Sequence, residues 1–150
     1  MSFYFIESSA LVKLFVAERG SEHLISLIEP LTSAQKLVSA LALMEVYAAV
    51  RRRERAGGMD AESAAIVLEQ LVAEFAQMTE QPLSSTVTDK AMQLLDRHEL
   101  RPVESIQLAS CVTARALSGV TDFIFVTTNA ALLKAARAEG LQTLNPEDEK

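Results

Sequence analysis

The chain has 150 residues, enough for one ordinary domain with a buried core, and 49% of them are hydrophobic, which excludes general disorder. Its net charge of −6 argues against a general nucleic-acid binder, although the charge is uneven: seven cations meet six acids over residues 1–57, and seven meet fourteen over the rest. The single Cys111 cannot close an intramolecular disulfide, and there is no CxxC zinc pair, no basic leader before Glu7 and no apolar run long enough to span a membrane, so a cytoplasmic setting is expected.

Along the chain, Phe3 to Ile6 is a short aromatic and β-branched run that predicts a buried strand. Ser8 and Ser9 are good N-cap types for a helix over Ala10 to Val16, which Gly20-Ser21 breaks. A second helix runs from about Glu22 to Glu29 and stops at Pro30; Lys36 to Ser39 is a candidate strand. Leu41 to Ala56 reads as a strong helix closed by Gly57-Gly58. Asp60 caps the next, with apolar positions at Ile66, Leu68, Leu71, Val72 and Phe75. A short strand is expected near Pro82 to Leu83, then helices from Thr88-Asp89 through Leu95 and from Pro102 to Leu117, ended by Gly119. Phe123 to Val126 is the clearest strand; a helix over Ala130 to Ala138 and a strand over Gln142 to Leu144 precede an acidic tail. Strands alternating with helices predict an α/β fold with a mostly parallel sheet, helices on both faces, and one domain over residues 1–150.

In open parallel sheets, ligands collect beyond the carboxyl ends of the strands. Glu7, Ser8 and Ser9 follow the first strand, and Thr127, Thr128 and Asn129 follow the fourth. Glu45 stands in the apolar run Leu41 to Val50, where a carboxylate either faces a narrow solvent stripe or is held by a partner. Glu104 opens a helix, where the helix dipole alone would favour it. Together these positions suggest carboxylates beside an amide, a set of hard oxygen donors of the kind that holds Mg²⁺ for phosphodiester cleavage. His23 and His98 fit no ligand spacing and read as surface residues, and Cys111 as a small core residue. The run Arg51-Arg52-Arg53-Glu54-Arg55 places cations at a helix C-terminus, where they favour the macrodipole; a phosphate-contacting patch is the sharper alternative.

Four segments carry a resemblance. Ile6-Glu7-Ser8-Ser9-Ala10-Leu11-Val12-Lys13-Leu14 resembles the opening of PIN-domain proteins, chiefly VapC-type toxins, where Asp usually stands in place of Glu7. Ser39-Ala40-Leu41 through Glu45 to Arg53 is similar to the second motif, with its Glu at Glu45. Glu104-Ser105-Ile106-Gln107-Leu108-Ala109 is similar to the third, usually opened by Asp, and Phe125-Val126-Thr127-Thr128-Asn129 through Leu132-Leu133 to the fourth, usually with Asp in place of Asn129.

The resemblance implies a PIN-like three-layer fold with a parallel sheet of about five strands, Mg²⁺ or Mn²⁺ in an acidic site, RNA as substrate, and often an inhibiting antitoxin. It makes Glu7, Glu45 and Glu104 the expected metal ligands, Asn129 a positioning group, and Ser9 and Thr127 their hydrogen-bonding support. A homodimer is expected as well, since the early helices carry apolar faces. Glu in place of Asp at two positions adds a methylene, roughly 1.5 Å of reach, and Asn129 offers a carbonyl oxygen without charge. Two functional readings follow: a metal-dependent endoribonuclease of the toxin type, or a PIN domain that binds RNA or protein without cutting.

Overall fold

The computed structural model describes residues 1–148. Five strands, β1 (Phe3–Ile6), β2 (Lys36–Ser39), β3 (Thr79–Gln81), β4 (Phe123–Val126) and β5 (Gln142–Leu144), form one sheet in the order β3-β2-β1-β4-β5. All four pairings are parallel. Seven α-helices connect them among the described residues: α1 (Ser8–Leu11), α2 (Ser21–Ile28), α3 (Ala42–Arg55), α4 (Ala61–Phe75), α5 (Ser85–Arg97), α6 (Pro102–Ser118) and α7 (Ala130–Ala138). The α/β architecture with a parallel sheet expected from the alternation is therefore the one observed, and its five strands are the number that the resemblance implies.

Strand side chains alternate between faces, and this divides the interior into two cores. Phe5, Leu37, Phe123 and Phe125 point to a core closed by α5, α6 and α7, with Leu94, Leu108 and Leu132 fully buried there. Ile6, Val38 and Val126 point to the other, closed by α1 to α4, with Leu11, Leu24 and Leu71 at its centre. The sheet is thus covered on both faces, as an all-parallel sheet requires. Cys111 lies in the first core, where burial pushes its thiol pKa up.

Three local expectations change. The first helix is a single α-turn continued by a 3₁₀ turn over Val12–Leu14, and Glu7, not a serine, sits at its N-cap in an extended conformation. The reason is that both serine hydroxyls donate to carboxylates instead of capping the helix. The third strand is Thr79–Gln81, one step before Pro82, whose missing N–H cannot serve a ladder. Its polar composition suits an edge strand and hides it from an apolar search. Ser84 caps α5 by accepting from the Val87 N–H at 3.3 Å, so that helix begins before Thr88. The last residues of the acidic tail, 149–150, lie outside the described chain.

Candidate active site

β1 and β4 lie side by side at the middle of the sheet, and the strand order runs outward from them in both directions. Such a switch point leaves a crevice beyond the strand ends. Ile6 pairs with Val126 in the ladder, and the Glu7 N–H donates to the Val126 carbonyl at 2.9 Å. Backbone pairing therefore delivers Glu7 and Thr127 to the same spot.

A hydrogen-bonded net grows from that pair. Thr127 Oγ1 donates to Glu7 Oε1 at 2.6 Å, and Ser9 Oγ donates to the same oxygen at 2.5 Å. The Thr128 N–H fixes Ser9 Oγ at 3.0 Å, and the Asn129 N–H fixes Thr127 Oγ1 at 3.1 Å. Glu7 is 6% exposed. Burial raises its pKa above the ordinary 4.5; the Ser9 and Thr127 hydroxyls and the Ser9 backbone pull it back, and the Glu45 charge adds to the rise. Among the described residues no Lys, Arg or His lies within ion-pair distance of Glu7.

Glu45, in the first turn of α3, is held from the other core. Ser8 Oγ donates to its Oε1 at 2.7 Å, and Gln107 Nε2 donates to that oxygen at 2.5 Å and to Ser8 Oγ at 2.8 Å. Gln107 is 1% exposed, and its Oε1 has no partner among the described residues. An orphaned buried carbonyl costs about 1–3 kcal/mol, offset here by charge-assisted bonding to Glu45. In the sequence Ser8 stands out as a helix-cap type and Gln107 only as part of a motif; the signal that could have found Gln107 is the one that found Glu45, a polar side chain inside an apolar helical run.

Glu104 and Asn129 form a second pair. Asn129 Nδ2 donates to Glu104 Oε2 at 2.6 Å, while the Arg101 N–H donates to Glu104 Oε1 at 2.8 Å. Asn129 also caps α7, its Oδ1 accepting from the Leu132 N–H at 3.0 Å. Both residues line an open cleft of about 600 Å³ with Glu99, Leu100, Arg101 and Ala131. The four expected positions thus reach the same sheet edge as two pairs joined through Thr127. They do not close into a three-acid cage: among the described residues no group of three His, Cys, Asp or Glu is close enough to hold a metal ion.

A divalent cation still has donors at the first pair. Glu7 Oε1 and Glu45 Oε1 take the side-chain hydrogen bonds, and among the described residues the Oε2 of each accepts none from a side chain. Two carboxylate oxygens suit Mg²⁺ or Mn²⁺, which keep waters and take their remaining ligands from substrate phosphate. The other titratable residues lie elsewhere. Asp122 accepts from Ser2 Oγ at 2.6 Å at the opposite end of the strands. His98 is not a free surface residue, since it meets Glu139 at 2.6 Å and is 16% exposed. His23 is half-buried and bonds the Pro146 carbonyl at 3.3 Å. Arg53 is drawn from the basic run to Glu18 at 2.8 Å, and Arg51 lies over the Tyr47 ring.

No helix among the described residues is long and apolar enough to cross a membrane. No curated protein is significantly similar in sequence. Solved structures are similar in fold. A chain of a toxin–antitoxin complex from Klebsiella pneumoniae superposes with a TM-score of 0.68 at 14% identity, covering 97% of this chain and 99% of that one. A chain of DNA-bound VapBC from Salmonella typhimurium gives 0.65 at 9% identity, covering 97% and 99%. The Mycobacterium tuberculosis toxin VapC20, which cleaves the sarcin–ricin loop, gives 0.63 at 14% identity, covering 88% and 94%. The PIN domain family model matches residues 4–138, and the chain belongs to the PIN domain family.

Proposed function

We propose that this chain is a divalent-metal-dependent endoribonuclease of the VapC toxin type, working as a single domain over residues 1–150 in the cytoplasm. One observation carries the reading: Glu7 is buried at the switch point of the sheet, beside a second carboxylate, and among the described residues it is served by neutral donors and has no cation within ion-pair distance. A buried charge without a counter-charge is costly in the resting protein, and perturbed carboxylates in a crevice mark functional sites. A cation is the missing partner.

In this reading Glu7 and Glu45 would hold Mg²⁺ or Mn²⁺. The ion supplies Lewis acidity and an activated water for phosphodiester hydrolysis when bound. Ser9 and Thr127 fix the Glu7 carboxylate, and Ser8 and Gln107 fix Glu45, so each carboxylate meets the ion with little freedom left to lose. Glu104 would be the third acid, and the Asn129 amide positions it by donating to its Oε2 at 2.6 Å. The toxin–antitoxin complexes among the structural neighbours support a cognate antitoxin as partner. Exposed apolar side chains such as Met44, Met92 and Leu117 support covered surface, including a homodimer.

The competing reading, a PIN domain that binds without cutting, is favoured by the engaged state of Glu104 and Asn129. Cleavage of a mixed RNA by the purified chain in Mg²⁺, Mn²⁺ or EDTA separates them. Metal-dependent cleavage is expected, and Glu45→Gln should lower it by more than about 100-fold, beyond the 10–100-fold typical of a supporting group. Silence in every metal, from a folded protein, would leave the binding module.

A further inference from the structure

Beyond the acid pairs, the cleft that holds Glu104 and Asn129 continues. Its neighbour, a second open cleft of about 420 Å³, is lined by Arg97, His98, Glu99, Ala130, Ala131 and Lys134 among others, and the two share Glu99 and Ala131. One wall is the end of α5 and the loop that follows it. The other is the exposed stripe of α7 that begins at Ala130, next to Asn129. Alanines on this stripe leave room for an extended chain to lie close to the helix.

The cations along the groove differ in how they are engaged. Glu139 takes Arg97 at 3.0 Å and His98 at 2.6 Å, so that corner is neutralised within the protein. Arg101 and Lys134 are exposed, and among the described residues neither has a carboxylate within ion-pair distance. Arg101 lines the cleft that holds Glu104 and Asn129, and its own backbone N–H donates to Glu104. Lys134 stands further along α7. A chain with a net charge of −6 thus presents two unmatched cations on opposite walls of a groove that opens at its acidic site. The N-terminal ends of α6 and α7 also meet this groove, adding favourable dipole ends.

We propose that this groove is the track of the RNA strand, with Arg101 and Lys134 each taking a backbone phosphate on one side of the scissile bond. The proposal rests on the ribonuclease reading and adds the strand's path. Phosphate contacts of this kind position a strand and do not read its sequence. They also set the salt dependence of binding. Arg52 and Arg55 serve as the comparison, since both are exposed and unpaired among the described residues but sit at the far end of α3.

The test is fluorescence anisotropy of a labelled, mixed-sequence single-stranded RNA, titrated with the wild-type chain in EDTA across a salt series. Cleavage in Mn²⁺ is followed in parallel. Arg101→Gln with Lys134→Gln should reduce the slope of log affinity against log salt by about 1.4, each lost phosphate contact in a single strand contributing about 0.7. The loss should be similar across RNA sequences. Arg52→Gln with Arg55→Gln should leave the slope unchanged, and a thermal melt of each variant reports that it is folded. An unchanged slope in the Arg101/Lys134 variant, or an equal loss in the Arg52/Arg55 variant, overturns the track; if the wild type still cleaves RNA, the ribonuclease reading survives that failure. A wild type that neither binds nor cleaves RNA overturns both.

Discussion

Two buried charges stand six residues apart, and the molecule treats them in opposite ways. Lys13 is 4% exposed, and its Nζ meets Glu18 at 3.1 Å and Glu147 at 2.8 Å; Arg53 adds a 2.8 Å contact to Glu18. Burial works against its charge, but the Glu147 and Glu18 carboxylates outweigh it and hold the lysine pKa above its usual range. Glu7 is as deeply buried, yet among the described residues only hydroxyls and backbone serve it, and its pKa is raised by burial. The lysine's charge is satisfied within the fold and ties the chain's end to its beginning. Gly20 contributes to that tie: a side chain there would meet the Pro146 carbonyl at 2.7 Å, so only glycine lets residues 146–147 lie across the start of α2. The glutamate's charge has no ion-pair partner among the described residues. Burial alone therefore does not separate structure from function; the company of the charge does.

The contrast breaks most sharply by substitution. Lys13→Ala should cost about 3 kcal/mol, the low end for a broken buried pair, because Glu18 and Glu147 keep some access to water. Glu7→Gln should instead raise stability in metal-free buffer, since it removes a buried charge and keeps an acceptor for Ser9 and Thr127. A folded-state pKa above the unfolded one means the native protein holds the extra proton. The favourable contribution of the neutral carboxyl is then full below about 4.5 and is lost as pH rises through the raised value. Urea denaturation of wild type and Glu7→Gln over that window should show the wild type losing stability relative to the variant as pH climbs. Equal destabilisation by Lys13→Ala and Glu7→Gln would mean that the acid is as structural as the lysine.

A smaller effect is expected where the hydroxyls act through Glu7. Thr127→Val keeps shape and removes the 2.6 Å donor. Groups that orient a metal ligand typically contribute 10–100-fold in affinity, so Mn²⁺ binding by calorimetry should weaken by about that factor in Thr127→Val. Thr127→Ser should restore it. A Thr127→Val protein that binds Mn²⁺ like the wild type would confine the hydroxyl to packing.

Much of this arrangement was legible in the sequence because it depends on period and punctuation. Phe3–Ile6 and Phe123–Val126 read as buried strands from composition alone, and a parallel sheet sends the residues after both to one edge. Glu45 stood out because a charge in an apolar helix needs a reason. The edge strand Thr79–Gln81 was illegible because it buries little, and its only demand on sequence is to pair. The role of Gln107 was hidden too, because its partners Ser8 and Glu45 lie 99 and 62 positions away. Local pattern reports which face a residue occupies, not which distant side chain it meets there. Ser8 and Ser9 show the limit most clearly: their type predicted caps, and tertiary carboxylates claimed the hydroxyls instead.

The least disruptive substitution addresses whether the second acid pair has given up a metal or only waits for one. Asn129 donates to Glu104 with one side-chain atom and caps α7 with the other. Asn129→Asp keeps the cap, because a carboxylate accepts from the Leu132 N–H as well as an amide does. It removes the donor to Glu104 and sets two carboxylates against each other where a 2.6 Å hydrogen bond had been. Both residues are half-buried, so solvent screens much of the repulsion and the cost in metal-free buffer should stay near 1 kcal/mol. A divalent cation offers those carboxylates a shared partner. Thermal melts with and without Mn²⁺ should therefore show a larger metal-induced rise in Tm for Asn129→Asp than for the wild type, and adding Glu7→Asp and Glu104→Asp should widen the difference if shorter side chains suit the ion better. The same melts in high salt distinguish binding from screening, since salt relieves like-charge repulsion without a specific ion. A variant rescued equally by salt and by Mn²⁺ would show that the Glu104–Asn129 pair is a structural hinge of the cleft, leaving Glu7 and Glu45 as the whole of the metal site.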